Sequence, residues 1–258
     1  MPFVDNNDIK IHYHVEGTGP TLIMQHGLTG SLANWYDYGF VTELQKFYQL
    51  ILIDARGHGH SSKPHDPQQY DLKLRVGDIT SVMDHLGIEK ANYLGYSMGG
   101  RIGFGLILHA LERFESFIIG GMGAHVANTD VPPQDRIAAL ENGMANYVAG
   151  IEAKEGKMEQ WRKDRLLEND PLALIAATIA PLGTEDVEQA LPNLDTPCLI
   201  YCGDSDGFFP SAKASAALIP NCEFVVLPGL DHGQASRASE ESLPFILKFL
   251  KQTTPTKV

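Results

Sequence analysis

The chain has 258 residues, of which 43% are hydrophobic and 20% are charged. This composition excludes a disordered, collagen-like or coiled-coil chain, and the length suits one large domain or one domain with an insertion. With 20 basic and 32 acidic residues the formal net charge is −12, which disfavours nucleic acids and anionic membranes as partners.

Short β-rich segments alternate with helical segments in the first half of the chain. The patterns predict strands at 9–15, 21–25, 50–53, 91–96 and 114–119, and helices at 72–86 and 101–113. Buried parallel strands are short apolar runs, and strands that alternate with helices imply a parallel sheet covered on both faces.

The alternation stops after the strand at 114–119. The following stretch contains no convincing strand, and its predicted helices span 134–149, 152–167 and 171–180. Strands resume at 198–202 and 223–227, and a final helix is predicted at 240–251. We therefore expect a core domain of residues 1–122 and 193–258 and a helical cap of residues 123–192. Ligand sites in open α/β sheets lie at the carboxyl ends of the strands, where such a cap could act as a lid.

Residues 95–99 read Gly-Tyr-Ser-Met-Gly and lie between a predicted strand and a predicted helix. Gly-x-Ser-x-Gly in this context is the pattern of a nucleophile elbow. The glycines relieve crowding in a tight turn, and the helix N-terminus favours developing negative charge. The pattern predicts Ser97 as a nucleophile and the backbone N–H of Met98 as an oxyanion donor.

A catalytic serine needs a base and an orienting acid. Among ten histidines, His232 lies in a loop after the last predicted strand, where the base is expected. The loop after the strand at 198–202 offers Asp204 and Asp206 as the acid. We favour Asp206, because Asp204 is close to the strand end and could cap the turn. Asp231, beside the histidine, is a third candidate.

The second oxyanion donor is expected in the loop after the strand at 21–25. The backbone N–H of Leu28 is the candidate, and His26 is interpreted as a structural residue of that loop.

Two histidine pairs could suggest a metal site, namely His12 with His14 and His58 with His60. The first pair alternates on a strand, and the second lies in a glycine-rich turn without carboxylate partners. We therefore expect neither a metal nor another cofactor.

Four motifs together resemble the α/β-hydrolase superfamily over nearly the whole chain. They are His-Gly at 26–27, Asp-x-Arg-Gly-His-Gly at 54–59, Gly-Tyr-Ser-Met-Gly-Gly at 95–100 and Gly-x-x-Asp at 203–206, and His232 completes the set. The resemblance implies an α/β-hydrolase fold, a mostly parallel doubly wound sheet with a helical lid insertion, and a serine triad. Haloalkane dehalogenases and soluble epoxide hydrolases have an aspartate at the elbow, so Ser97 argues against their chemistry.

Within the superfamily the chain looks like the carboxylesterases, lactonases and cofactor-free haloperoxidases. This likeness implies cleavage of an ester or lactone of a small to medium substrate through an acyl-enzyme on Ser97. The chain is also similar to the menaquinone-pathway synthase that eliminates pyruvate, where an arginine four residues after the serine helps to bind the substrate. Arg101 has that position. The C–C bond hydrolases share the motif set, and a small-molecule receptor with slow turnover is a further alternative.

The substrate pocket is the least readable part of the sequence. Arg101, Trp161 and Phe208 are its candidate residues. We expect a small-molecule substrate and no nucleic-acid or membrane partner, and the pattern leaves the oligomeric state open. The N-terminal segment lacks the apolar stretch of a signal peptide, and the three cysteines have no zinc-site spacing. A cytoplasmic location is therefore expected.

Overall fold

The computed structural model describes residues 2–124, 134–180 and 187–253, and within them eight strands form one sheet. In chain order the strands are β1 (Phe3–Asn6), β2 (Ile9–Glu16), β3 (Thr21–Gln25), β4 (Gln49–Ile53), β5 (Ala91–Tyr96), β6 (Phe114–Gly120), β7 (Cys198–Gly203) and β8 (Cys222–Leu227). Their order across the sheet is β1-β2-β4-β3-β5-β6-β7-β8. The β1–β2 and β2–β4 pairings are antiparallel, and the others are parallel. The predicted mostly parallel sheet is confirmed.

Helices cover both faces of this sheet. In chain order they are α1 (Ala33–Asp37), α2 (Phe40–Leu44), α3 (Leu72–His85), α4 (Met98–His109), α5 (Gln134–Glu141), α6 (Met144–Glu155), α7 (Gln160–Leu167), α8 (Pro171–Ile179), α9 (Val187–Ala190), α10 (Phe209–Leu218), α11 (His232–Arg237) and α12 (Ser239–Thr253). Helices α3, α4 and α10 pack on one face, and α1, α2 and α12 pack on the other. The sheet is doubly wound, as the alternation of strands and helices predicts.

The central strands show why short apolar runs indicated buried strands. In β3, Leu22 and Met24 pack into the core on one face, Ile23 packs into the core on the other, and all three are fully buried. Burying an aliphatic side chain of this size contributes about 1.5–3 kcal/mol, so both faces of such a strand favour apolar residues. The free thiols of Cys198 and Cys202 in β7 are buried in the same way.

The parallel arrangement brings several loops to one edge of the sheet. Strands β3, β5, β7 and β8 run in the same direction, so their carboxyl ends lie together. The residues that follow these strands include the glycine-rich motif at 26–30, Ser97, the aspartates at 204 and 206, and His232, the first residue of α11. The fold therefore gathers the motif residues at the place where α/β sheets bind ligands.

Between β6 and β7 the described residues contain only helices, α5 to α9, which we call the inserted helices. Two predicted helices there have wrong boundaries. The helix predicted at 134–149 is divided at Gly143, and the one predicted at 152–167 is divided at Gly156. Both glycines have positive φ angles, 85° and 89°, a backbone conformation that glycine adopts readily and that cannot continue an α-helix. Residues 125–133 and 181–186 lie outside the described residues, so the cap boundaries at 123 and 192 stay predictions.

Other differences concern elements with weak sequence signals. The helix predicted at 101–113 begins at Met98 and ends at His109, and a short 3₁₀ turn follows. Strand β1 and the short helices α1, α2, α9, α10 and α11 were not predicted. None of the described helices is long and apolar enough to cross a membrane.

Candidate active site

Ser97 occupies a strained turn between β5 and α4. Its φ of 54° and ψ of −110° are unusual for a residue with a side chain and cost on the order of 1–3 kcal/mol. The turn is fixed on both sides, because the N–H of Ser97 donates to the carbonyl of Gly120 at 2.8 Å and its carbonyl accepts from Arg101 at 2.9 Å. The strain is therefore held by the surrounding strands and the helix.

The glycines of the elbow are required by neighbouring backbone. A Cβ atom on Gly95 would lie 2.3 Å from the carbonyl oxygen of Gly99, and one on Gly99 would lie 2.1 Å from the carbonyl oxygen of Gln25. Neither distance is sterically possible. The sequence argument for crowding at these positions agrees with the structure.

The structure brings Ser97, His232 and Asp206 into one hydrogen-bonded line. His232 Nε2 lies 2.8 Å from Ser97 Oγ, and His232 Nδ1 lies 2.7 Å from Asp206 Oδ2. The carboxylate of Asp206 is almost fully buried, and its second oxygen accepts the N–H of Phe208 at 2.9 Å. Because an ionised carboxylate can only accept, Nδ1 carries the proton and Nε2 is free to take the proton of Ser97. This arrangement can generate a serine nucleophile.

The two competing aspartates have other contacts. Asp204 Oδ1 accepts the N–H of Gly229 at 2.7 Å and so supports the loop before His232. Asp231 accepts the N–H of Gln234 at 2.7 Å as the N-cap of α11. Neither aspartate shares a hydrogen bond with His232 in the described residues, which favours Asp206 as the acid.

Two aromatic residues hold His232 in place. The hydroxyl of Tyr96 donates to the backbone carbonyl of His232 at 2.6 Å, and its ring lies 5.3 Å from the imidazole. Burial raises the pKa of Tyr96, so its hydroxyl remains a donor. The ring of Phe208 packs on the imidazole at 5.2 Å. Sequence reasoning missed this role of Tyr96, although its place beside the predicted nucleophile was a signal.

The loop after β3 lies directly against the elbow. A Cβ atom on Gly27 would be only 3.3 Å from Ser97 Cβ. Within the described part of the chain, the backbone N–H groups of Leu28 and Met98 donate to no other protein group. Both N–H groups are therefore available to donate hydrogen bonds to an oxyanion, and that role stays a prediction.

His26 is a structural residue of this loop. Its Nδ1 donates to the carbonyl of Gly27 at 2.8 Å, and its Nε2 accepts the N–H of Ala55 at 3.1 Å. Burial lowers the pKa of His26, which keeps the ring neutral. Both ring nitrogens are thus engaged with the backbone.

Three histidines of the two pairs in the sequence, His12, His14 and His60, meet in one cluster near Asp54, whereas His58 packs against His26. His12 Nδ1 lies 2.8 Å from Asp54 Oδ2, and the rings of His14 and His60 each lie 5.0 Å from that of His12. The carboxylate also accepts the backbone N–H groups of Leu32 and His60. In residues 2–124, 134–180 and 187–253, no group of three or more histidine, cysteine, aspartate or glutamate side chains could hold a metal ion.

A cavity of about 180 Å³ opens beside Ser97 and His232. The described residues that line it include Leu28, Tyr38 and three arginines, namely Arg162, Arg165 and Arg237. The arginines come from two elements, α7 and α11, that are far apart in the chain. Arg165, Arg237 and Tyr38 were not predicted as pocket residues, because no local pattern in the sequence links them.

The three predicted pocket residues do not line this cavity. Arg101 lies behind the elbow, where burial lowers the pKa of its guanidinium to about 10 and its Nη2 lies 3.8 Å from the sulfur of Met122. Trp161 is 39% exposed and packs against Tyr38. Phe208 packs on His232 from outside the cavity lining.

Comparisons with known proteins agree with this fold. A family model described as alpha/beta hydrolase fold matches residues 20–142. A non-heme haloperoxidase of Rhodococcus erythropolis is 25% identical over 97% of this chain and all of its own length. A 3-oxoadipate enol-lactonase of Acinetobacter baylyi is 26% identical over 92% of this chain and 90% of its own.

Two further similarities extend this picture. A proposed 2-succinyl-6-hydroxy-2,4-cyclohexadiene-1-carboxylate synthase of Bacillus subtilis is 25% identical over 86% of this chain and 88% of its own. The crystal structure of the enol-lactonase from Burkholderia xenovorans LB400 superposes with a TM-score of 0.82 at 23% identity, covering 97% of this chain and all of the other. At that identity the structural likeness shows the shared fold.

Proposed function

The chain belongs to the α/β-hydrolase superfamily, a family of hydrolases, and from this premise we propose that it is a serine hydrolase that cleaves a carboxylic ester or lactone. The observation that carries the proposal is the continuous hydrogen-bonded line from Ser97 Oγ through His232 to Asp206. Esterases and lactonases among the similar proteins support the choice of bond. The 180 Å³ cavity suits a small to medium substrate.

In the first half-reaction His232 Nε2 takes the proton of Ser97 as Oγ attacks the substrate carbonyl. The N–H groups of Leu28 and Met98 stabilise the oxyanion, and each such donor is typically worth about 3–4 kcal/mol of the barrier. The protonated imidazole, stabilised by Asp206, then gives its proton to the leaving alkoxide. The carbon–oxygen ester bond breaks, and the acyl group remains on Ser97.

In the second half-reaction His232 removes a proton from water, which attacks the acyl-enzyme. The same donors hold the second oxyanion, and the imidazolium returns its proton to Ser97 as the carboxylic acid leaves. His232 is suited to both transfers because its side chain is about one-third exposed while its partner Asp206 is buried.

Stopped-flow hydrolysis of p-nitrophenyl acetate and butyrate tests the proposal. We expect a burst of p-nitrophenol equal to the enzyme concentration, followed by steady turnover, and loss of both in Ser97→Ala. Steady hydrolysis that survives in the purified, folded variant would show that Ser97 is not the nucleophile. A turnover near or above once per second would also separate an enzyme from a slow receptor.

One alternative has a specific observation in its favour. The similarity to the Bacillus subtilis protein named above extends over most of both chains, and Arg101 stands four residues after Ser97. Its buried Nη1 has no hydrogen-bond partner within the described residues. In this alternative the triad removes a proton and pyruvate is eliminated, so no acyl-enzyme forms. Folded protein that gives no burst with either ester would favour it.

A further inference from the structure

The cavity beside Ser97 has a charge opposite to that of the whole protein. The chain carries a formal net charge of −12, but the described cavity lining contains three arginines and no aspartate or glutamate. A cleft lined by one sign of charge attracts ligands of the other sign. The cavity is therefore an electropositive site in an acidic protein.

The three arginines differ in how far protein carboxylates neutralise them. Arg165 Nε lies 3.0 Å from Asp37 Oδ2, and Arg162 Nη2 lies 3.3 Å from Glu155 Oε2. Arg237 forms no ion pair and donates no hydrogen bond to any of the described residues. It is only partly exposed. A half-buried arginine with a structural role ordinarily donates to a protein acceptor. Arg237 does not, so its guanidinium is available to bind a ligand.

The position of Arg237 places its charge close to the reacting groups. It lies on α11, the helix that begins at His232, and its side chain folds back toward the start of that helix. A Cβ atom on Gly233 would be 3.3 Å from Arg237 Nη1, so the absence of a side chain at Gly233 makes room for the guanidinium. The guanidinium of Arg237 is therefore next to Gly233, the residue that follows His232.

A second guanidinium faces the same spot from the inserted helices. Burial raises the pKa of Tyr38, and the positive charges of Arg237 and Arg162 are the largest influences that oppose this rise. Arg162, Arg237 and Tyr38 line the same cavity, and the Tyr38 hydroxyl accepts a hydrogen bond from Asn34 at 3.0 Å. Two cations and a hydroxyl converge from α7, α11 and the end of α1.

We propose that Arg237, assisted by Arg162, binds a carboxylate group of the substrate within this cavity. The substrate class is then a half-ester or a lactone that carries a free carboxylate. A planar guanidinium can hold a carboxylate through two parallel hydrogen bonds, which also fixes the orientation of the ester relative to Ser97. The inference rests on the proposed hydrolase function and assigns its substrate.

Direct binding tests this site without requiring turnover. Monomethyl glutarate and its neutral counterpart dimethyl glutarate are titrated calorimetrically into the Ser97→Ala protein, and then into the same protein carrying Arg237→Gln. We expect the half-ester to bind at least about tenfold more tightly than the diester, and Arg237→Gln to remove most of this preference. Arg237→Lys should restore part of it, since the charge returns without the planar fork.

Lys248→Gln is the matched control. Lys248 is an exposed residue of α12 outside the cavity lining, and its replacement removes the same unit of charge. The control should leave both affinities unchanged. Equal binding of the two esters, no measurable binding of the half-ester, or equal weakening by the control and by Arg237→Gln would overturn the carboxylate site.

Kinetics with the wild-type protein keep the two proposals distinct. If p-nitrophenyl acetate gives a burst but the half-ester has no advantage in kcat/KM over the diester, the hydrolase function stands and the carboxylate site falls. If the half-ester binds through Arg237 but no ester is turned over, the site stands and the hydrolytic function falls. Added salt should weaken half-ester binding and leave diester binding unaffected.

Discussion

Ser97 and helix α7 border the same cavity, but they are held in place in different ways. The turn at Ser97 is fixed by buried backbone hydrogen bonds and by glycines that admit no side chain. Helix α7 has one buried residue, Leu166, and its ion pair with α1, between Arg165 and Asp37 at 3.0 Å, involves partly exposed side chains. Ion pairs near the surface typically contribute about 0–1 kcal/mol.

This difference suggests separate roles for the two regions, with the chemistry supported by the sheet core and the choice of substrate influenced by the inserted helices. In our account the sheet core fixes the reacting groups, whose geometry tolerates little change. The inserted helices contribute Arg162, Arg165 and Leu166 to the cavity lining on a weakly attached element. Substitutions in the core should therefore change rate or stability strongly, whereas substitutions in the inserted helices should change them little.

The largest effect is expected at Ser97. Replacing it by alanine removes the proposed nucleophile, so kcat for p-nitrophenyl butyrate should fall roughly 10³-fold or more. The free energy of unfolding should change by less than about 1 kcal/mol, because no fold contact depends on the hydroxyl. Steady-state kinetics and urea denaturation of the same preparation measure both quantities, and a folded variant with retained kcat would contradict the assignment.

The second effect concerns the acid. Asp206→Asn should lower kcat by up to about 10⁴-fold, because the amide no longer holds the productive tautomer of His232. Asp204→Asn is the matched control, since Asp204 accepts the N–H of Gly229 and the hydroxyl of Ser205 but shares no hydrogen bond with His232 among the described residues. The fall in kcat caused by Asp204→Asn should be far smaller. The reverse ranking would transfer the role to Asp204.

The third effect compares two glycines from the two regions. Gly99→Ala should destabilise the protein by about 1–3 kcal/mol or more, because its Cβ would collide with the backbone of Gln25. Gly150→Ala, in the exposed middle of α6, meets nothing within 4 Å and should stabilise by about 0.5–1 kcal/mol. Chemical denaturation of both variants decides, and similar losses at the two sites would remove the contrast between the regions.

The fourth effect is a pH dependence of stability that comes from the core. Burial lowers the pKa of His58 to about 3, against about 6.5 in the unfolded chain. Between these values the unfolded state binds more protons, so the stability supplied by the neutral ring is complete above pH 6.5 and is lost as the pH falls. His58→Asn should reduce this slope by up to about 1.4 kcal/mol per pH unit.

Urea denaturation between pH 7.5 and pH 5 would measure the slope. The control is His65→Asn, because His65 is an exposed histidine that contacts Asp170 and lies outside the buried core. A slope that is unchanged in His58→Asn, or that is reduced equally in the control, would contradict the assignment to His58.

The parts that could be predicted from the sequence are those set by local backbone constraints. The tight turn at Ser97 requires glycine where a side chain would collide with neighbouring backbone, and this requirement is visible in the sequence. Asp206 and His232 each follow an apolar strand that can also be recognised in the sequence. Asp206 could be ranked above Asp204 as the acid, because Asp204 lies directly at the end of the strand and was expected to cap the turn, whereas Asp206 lies two residues further along.

The parts that could not be predicted depend on tertiary contacts between residues that are far apart in the chain. Arg162 and Arg237 are far apart in the chain, and no spacing shows that both reach one cavity. Trp161 was predicted as a pocket residue, but its ring packs against Tyr38 and is not itself part of the cavity lining. The breaks at Gly143 and Gly156 carried a readable helix-stop signal that the periodic pattern concealed.

In the proposed reaction Ser97 carries an acyl group during turnover. Rapid acid quenching of the wild-type protein with p-nitrophenyl butyrate, followed by mass spectrometry of the intact chain and its peptides, would detect this group. We expect one added butyryl group, located on the peptide that contains Ser97 and absent from Ser97→Ala. Unmodified protein at times when p-nitrophenol is being released, or a butyryl group on another residue, would contradict it.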